Sequence, residues 1–363
     1  MANQERDSRN GSRPKRSAWR LIILITALVA AVAPTSEACV EHTYSRGVYP
    51  IVQQTLTSVS NQVPIALTDF LLLGFVIGLT VKWVTTLRRP STVRRVLVLF
   101  DLIRDTAVVL ATAYLAFLLC WGLNYRREPL ETKLDFDASR ITTASLDALA
   151  SKLVDELNRL HGPAQLRPSQ ALEAVPMVVI EPFRRAQERL PAGAQALPAR
   201  PKTSWFGFYF RQAAIDGFTD PFLLETLINS DVLPVERPFI VLHEWAHLAG
   251  YADEAEASFV AWLASQSGDA AVQYSAWLAL YPHLIRQLDT ETRREVTTAL
   301  HRGPARDLAA IRQRFGRSTP AVRRQANRLY DQYLRANRIP SGIASYGGVL
   351  DLVLGARVAE AHR

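Results

Sequence analysis

Residues 238–250 read PFIVLHEWAHLAG and carry the most specific signal in the chain. This apolar segment predicts a helix from Pro238 to Leu248. On that helix His243 and His247 lie one turn apart on the same face, about 6 Å from each other, which suits two imidazoles binding one metal ion. Glu244 lies about 100° round the helix, where its carboxylate can act as a general base toward a water at the metal. The segment therefore predicts a catalytic zinc site.

A catalytic zinc site needs a third protein ligand. Residues 253–259 read DEAEASF and offer Glu254 and Glu256. The two glutamates lie about 200° apart on a helix, so they cannot both face one ion. We expect one of the two to complete a two-histidine, one-carboxylate set. Acidic residues are also favoured at a helix start for electrostatic reasons alone, so a solvated role for both stays open.

A zinc hydrolase also needs a hydrogen-bond donor for the oxyanion that forms in the reaction. Tyr330 and Tyr346 are the predicted donors, and Tyr333 is a further candidate. The alternative is that these tyrosine rings only pack against a helix face.

Composition limits the class of protein. The chain has 363 residues, of which 48% are hydrophobic and 21% charged, which excludes a disordered chain. Two cysteines exclude a cysteine-rich zinc module. Residues 1–123 hold 13 Lys and Arg against 7 Asp and Glu, whereas residues 124–363 hold 29 against 27. Since the excess charge lies beside hydrophobic runs, we expect a lipid bilayer and no nucleic acid as partner.

Three apolar runs predict membrane spans at about 21–38, 65–83 and 106–123. The first run also resembles a signal peptide, although an uncleaved span is preferred. Basic residues fill segment 1–20 and the turn between the second and third runs, and such segments stay in the cytoplasm. Everything after Leu123 is then predicted to lie outside the cytoplasm, on the bacterial inner (cell) membrane.

Residues 124–202 are predicted to form a helix and a Pro-rich linker, and residues 203–363 a catalytic domain. Trp121 and Tyr125, at the end of the third run, are interpreted as interfacial anchors. Cys39 and Cys120 would both lie near the outer face, where either a disulfide or two free thiols can exist.

Further predicted elements are a helix from Leu146 to Gly162, strands at Val175–Ile180 and Glu225–Asn229, and helices from Thr319–Pro320 to Arg338 and at Tyr346–Val358. The strand at Glu225–Asn229 is either an edge strand that binds an extended peptide or plain scaffold.

Short motifs lie along most of the chain. They are Tyr44–Pro50, Trp121–Tyr125, Gly217–Phe222, Glu225–Asn229, His243–His247, Glu254–Ala257, Tyr330–Leu334 and Ser345–Gly347. In this order they resemble an uncharacterised bacterial family (a domain of unknown function). Its members are membrane-anchored and similar to zinc peptidases of the gluzincin type. The resemblance covers about residues 40–357.

The Glu254 segment also resembles the third-ligand helix of membrane peptidases that process prenylated proteins. That likeness implies Glu254 as the metal ligand, with Ser258 one helical turn on, hydrogen-bonded behind the ligands. The uncharacterised family usually has Asn at the position of Ser258. The serine implies a weaker hydrogen bond behind the ligands, but no metal ligand is lost.

The fold class expected from all this is a mainly α membrane protein. Three N-terminal transmembrane helices would carry an α+β, mostly helical, zincin-like domain outside the cytoplasm. Its function would be zinc-dependent hydrolysis of a peptide or protein substrate, with Zn²⁺ as cofactor. The alternatives are a non-catalytic membrane scaffold with a structural metal site, and a zinc hydrolase of a non-protein envelope amide. The sequence leaves the oligomeric state open.

Overall fold

The structure, a computed structural model, describes residues 13–88, 95–166, 172–190 and 195–358. This part of the chain is mostly helical with a few short strands, which confirms the mainly α prediction. Most of the basic segment 1–20, most of the basic turn before the third run and parts of the Pro-rich linker lie outside the described residues.

The N-terminal part is a set of helices with apolar, exposed surfaces. In chain order these are α1 (Arg13–Val32), α2 (Glu37–Cys39), a π-helix (Val40–Val48), α3 (Tyr49–Asn61), α4 (Leu67–Arg88) and α5 (Arg95–Cys120).

One described helix, α4, is long and apolar enough to cross a membrane. Segments Ala18–Val32 and Glu37–Asn61 are bent by 116° at their break and make a second candidate only if they form one span. The structure thus gives one or two candidate spans where the sequence predicts three. The apolar part of α1 is shorter than the roughly 17 residues a span needs, and α5 carries Asp101, Arg104 and Asp105 in its first half.

The remaining helices pack around one hydrophobic core. They are α6 (Thr143–Gln165), α7 (Val175–Arg189), α8 (Gly207–Ala213), α9 (Arg237–Leu248), α10 (Glu254–Ser265), α11 (Ala270–Gln287), α12 (Thr290–Ala299), α13 (Arg302–Gly316), α14 (Pro320–Ala336) and α15 (Val349–Gly355). Helix α9 packs against α7, α10 and α11 near the centre of this core.

Two small sheets complete the fold. Strands β1 (Asp135–Phe136) and β5 (Ala356–Arg357) pair antiparallel. The second sheet has the order β2 (Pro201–Lys202), β4 (Thr226–Ile228), β3 (Gly217–Thr219). The predicted strand at Glu225–Asn229 is therefore present, but it is central and both its edges are paired. The edge strand beside α9 is β3, so β4 is not available to bind a peptide.

Two predicted elements are wrong. The strand expected at Val175–Ile180 is the start of α7, because Val175, Val179 and Phe183 are buried at helical spacing and Pro176 suits a first helical turn. The final helix expected at Tyr346–Val358 is split. A 3₁₀ segment (Gly342–Gly348) comes first, then α15, and the chain then pairs as β5.

One further helix boundary and the cysteine pairing differ from the sequence predictions, and another helix boundary agrees. Helix α6 continues past Gly162 to Gln165, whereas α14 begins at Pro320 after Thr319 as predicted. The disulfide considered between Cys39 and Cys120 is absent, and both residues are free thiols.

Buried polar contacts fix the domain to the start of α4. The Glu225 carboxylate accepts the backbone N–H groups of Leu67 at 3.1 Å and Thr68 at 2.7 Å, so it caps a helix end whose N–H groups have no partner within the helix. The same carboxylate pairs with the buried ammonium of Lys202. Asp69, the next residue of α4, accepts the Ser204 hydroxyl at 2.6 Å. Asp69 is the one charged residue in the apolar run at 65–81, and this contact accounts for a buried carboxylate there.

Candidate metal centre

Helix α9 is held by its apolar face. Val241, Leu242 and Trp245 are fully buried, and the Trp245 indole donates to the carbonyl of Ala199 at 2.8 Å. The opposite face carries the two histidines. Because this anchoring fixes the rotation of the helix, the imidazoles are held facing α10.

Three side chains that can bind a metal ion, two imidazoles and one carboxylate, meet between α9 and α10. The ring centroids of His243 and His247 lie 4.7 Å apart. Oε2 of Glu254 lies 3.1 Å from Nε2 of His243 and 3.4 Å from Nε2 of His247. Taking one ligand atom from each residue, the three atoms lie within 4.8 Å of one another. The geometry thus brings together the three residues that the sequence singles out as ligands.

The other nitrogen of each ring is already engaged. Nδ1 of His243 lies 3.2 Å from the Ser258 hydroxyl, and Nδ1 of His247 lies 2.7 Å from the backbone carbonyl of Tyr251. A neutral His247 must then carry its proton on Nδ1, which leaves a lone pair on Nε2. Such contacts orient histidine ligands in metal sites. The donor set and its supports therefore fit a divalent metal ion such as Zn²⁺.

The charges of the three groups depend on one another. Burial alone would raise the pKa of Glu254, but the charge of His247 and the hydrogen bonds of both rings hold it well below its usual range. Burial disfavours charge on His247, yet the Glu254 carboxylate raises the pKa of that ring to about 9. A buried anion at this position requires a positive partner, and a bound cation would satisfy the same requirement.

Glu244 stands beside this cluster without joining it. The hydroxyl of Thr219 on β3 donates to Oε2 of Glu244 at 2.8 Å. A Cβ on Gly217 would lie 2.3 Å from Oε1, so only glycine allows the carboxylate to approach the strand this closely. Burial raises the pKa of Glu244 above that of an ordinary carboxyl, against the attraction of both histidines. The group is thus oriented and tuned toward accepting a proton.

Glu254 and Glu256 have different surroundings. Glu254 is the first residue of α10, whose N-terminus is capped by the Asp253 carboxylate. Glu256 points elsewhere and accepts the backbone N–H of Leu130 at 2.5 Å. Of the two glutamates that the sequence left open, Glu254 lies at the histidines and Glu256 lies outside the cluster.

Tyrosines surround Glu254. The hydroxyl of Tyr330 donates to Oε1 of Glu254. The Tyr346 ring stacks near His243, with centroids 6.4 Å apart and an interplanar angle of 16°. Burial and the nearby Glu254 raise the pKa of both tyrosines well above the usual value, so both hydroxyls keep their proton. Tyr333 is one ring further out, stacked on Tyr330 at 5.9 Å.

Residues from the N-terminal part hold the end of α9. The Trp121 indole donates to the carbonyl of His247 at 3.1 Å, and the Tyr49 hydroxyl donates to that of Leu248 at 2.8 Å. Arg127 donates to the carbonyl of Gly250 at 3.0 Å. Carbonyls at a helix end lack the partners that the helix interior supplies, and that of His247 also accepts the backbone N–H of Gly250 at 2.9 Å. Each of the three side chains therefore positions the metal cluster through the backbone.

This contact corrects the interpretation of Trp121 and Tyr125 as membrane anchors. Both are at most 8% exposed, and the Trp121 ring packs edge-on against His247. Gly250 has φ +83°, and a Cβ there would lie 3.1 Å from the amide oxygen of Asn124. Sequence spacing gave no sign of these contacts, because they join residues more than 100 positions apart.

A family model matches most of the chain. The model, described as a protein of unknown function (DUF3810), matches residues 44–354. The chain belongs to this family. The matched range includes the three clustered residues, Glu244, Tyr330 and Tyr346. Comparisons with curated proteins and with solved structures found no match. The family description names no activity, so a function has to be argued from the residues themselves.

The two glutamates provide a matched pair for testing the metal site. We expect Glu254→Gln to lose most bound zinc, because an amide is a poor replacement for the only carboxylate in the cluster. Glu256→Gln should retain the wild-type content, since the side chain faces Leu130. Metal content of both detergent-purified proteins is measured by elemental mass spectrometry. Greater zinc loss from Glu256→Gln would contradict the arrangement.

Proposed function

We propose that the protein is a zinc-dependent metallopeptidase anchored in the bacterial inner membrane, with its metal site outside the cytoplasm. His243, His247 and Glu254 would hold Zn²⁺. When bound, zinc supplies Lewis-acid activation of a water and of the substrate carbonyl. The chemistry left to the protein is proton transfer and stabilisation of the oxyanion.

The observation that carries this proposal is the placement of Glu244. Its carboxylate is buried beside both histidines, yet it is not among the three clustered donors. A site that only stabilises a fold has no use for such a group, whereas hydrolysis requires one. Thr219 orients the carboxylate to accept a proton from the attacking water. Glu244 would then deliver that proton to the leaving amine.

Tyr330 and Tyr346 are suited to donate a hydrogen bond to the oxyanion. Both hydroxyls stay protonated and lie close to Glu254. Preorganised hydrogen-bond donors lower the activation barrier most effectively in a site with little water. The contact of Tyr330 with Glu254 would have to loosen for Tyr330 to act on substrate. Tyr346 also interacts with the Glu254 carboxylate, so the same change applies to it.

Charge placement supports three membrane helices and their orientation. Asp105 on α5 pairs with Arg20 on α1 at 2.8 Å and with Lys82 on α4 at 3.0 Å. The charged ends of the three apolar segments therefore lie together. At the other end of the bundle, Arg126 donates to the carbonyl of Ala30 at 2.7 Å, near the candidate site. Since basic ends stay in the cytoplasm, this arrangement favours a metal site on the outer side.

Glu244→Gln tests the chemistry. We expect this variant to retain zinc and to lose hydrolysis of quenched fluorescent peptides by about a hundredfold or more, because a general base contributes on that order. Glu295→Gln, at an exposed position on α12, is the matched control and should behave as wild type.

Two other results of these peptide-cleavage assays would contradict the proposed peptidase function. Peptide cleavage by Glu244→Gln at the wild-type rate would refute the mechanism. A zinc-bound wild type that cleaves no peptide would favour either the structural metal site or an envelope amide substrate, and a panel of amides would separate these two.

Reporter fusions test the orientation. A reporter that is active only outside the cytoplasm should be active when fused after Arg363 and silent when fused after Pro90, because the basic turn holds the latter point inside. Activity is measured in intact cells, with fusion levels checked by immunoblot. The reverse pattern would place the metal site in the cytoplasm.

A further inference from the structure

An exposed aromatic surface lies beside the start of α4. It is formed by Phe70, Trp205, Phe206, Phe208, Tyr209 and Phe218, which we call the aromatic face. Trp205 and Phe208 are 63% and 67% exposed, respectively. Exposed apolar surface in one contiguous patch marks a site of contact with a protein, a ligand or a membrane.

The position of this face relative to α4 is fixed by three contacts. The backbone N–H of Trp205 donates to the Asp69 carboxylate at 2.7 Å, and Ser204 donates to the same group. The Trp205 ring packs edge-on against Phe70, with centroids 4.6 Å apart. Asp69 and Phe70 lie in the first turn of α4. The aromatic face is therefore level with the outer end of that helix.

The length of α4 determines where the aromatic face would lie relative to a lipid bilayer. The 22 residues of α4 span about 33 Å, close to the thickness of a bilayer hydrocarbon core of about 30 Å. If α4 crosses the membrane, its first turn lies at the boundary between headgroups and acyl chains. Trp and Tyr favour this zone because their rings are apolar and their N–H or O–H groups are polar.

We propose that the aromatic face inserts into the headgroup–acyl boundary of the lipid bilayer. The apolar surface of α4 continues directly into this face through Phe70 and Trp205, so one lipid contact covers both. The proposal rests on the part of the proposed function that makes α4 a membrane span, and it is independent of peptidase activity.

The face reaches the candidate site. The Phe218 ring lies 6.4 Å from that of Phe210 in α8, and Phe218 stands on β3 between Gly217 and Thr219. Those two neighbours are the residues that contact Glu244. Lipid contact at the aromatic face would therefore hold the general base close to the membrane surface, where membrane-bound polypeptides are presented.

Fluorescence quenching tests this contact in the full chain reconstituted in phosphatidylcholine nanodiscs. The emission of Trp205 is obtained as the difference between wild type and Trp205→Phe. We expect lipids brominated near the headgroup end of their acyl chains to remove most of that emission, and aqueous iodide to remove little. Adding Phe208→Trp in the Trp205→Phe background should restore a signal with the same behaviour. Thr298→Trp in that background, on the polar surface of α12, is the control for an indole in water.

Two results would overturn the proposal. Quenching of Trp205 by iodide and not by brominated lipid would place the aromatic face in water. Protection from both quenchers would mean that protein covers it, a second copy of the chain included. The reporter fusions test membrane crossing by α4 separately, and neither measurement depends on hydrolysis, so failure of this proposal is distinguishable from failure of the proposed function.

Discussion

The approach of the Glu254 carboxylate to His243 and His247 is the contact around which the rest of the structure is arranged. His247 and Glu254 are buried and His243 is partly buried, and polar groups in such a place are costly unless their charges are balanced and their remaining hydrogen bonds are made. Ser258 and the Tyr251 carbonyl engage the outer ring nitrogens, and Tyr330 engages the free carboxylate oxygen. The charge of His247 balances the Glu254 carboxylate in the structure, and a bound cation between the three donors would meet the same requirement. This shared requirement is the physical argument for the proposed metal.

The N-terminal part is more than an anchor in this account. Tyr49, Trp121 and Arg127 bind the carbonyls at the end of α9, and Glu225 caps α4 in return. The helices proposed to lie in the membrane and the candidate site therefore share one set of buried hydrogen bonds. A movement of the N-terminal helices would be transmitted to His247 through its own carbonyl.

The sequence predicted side chains that meet within one helix, but it did not predict contacts between residues far apart in the chain. His243, Glu244 and His247 lie on one predicted helix, so helix geometry indicated that they could meet, whereas Glu254 was one of two candidate third ligands. The helix at 175–189 was missed because its valines also suit a strand, and only burial at helical spacing separates the two. Trp121 was assigned to the membrane interface because its partner lies 126 positions away. Hydropathy predicts three spans, whereas the described helices give one or two candidates, because hydropathy counts apolar residues without showing where each helix ends.

The central claim is that two imidazoles and one carboxylate hold zinc. X-ray absorption at the zinc edge of the detergent-purified, full-length protein measures that coordination directly. The account predicts one zinc per chain, with two imidazole nitrogens at about 2.0–2.1 Å and the remaining near neighbours oxygen. A sulfur shell at about 2.3 Å, an absence of imidazole scattering or a protein that binds no zinc would contradict it.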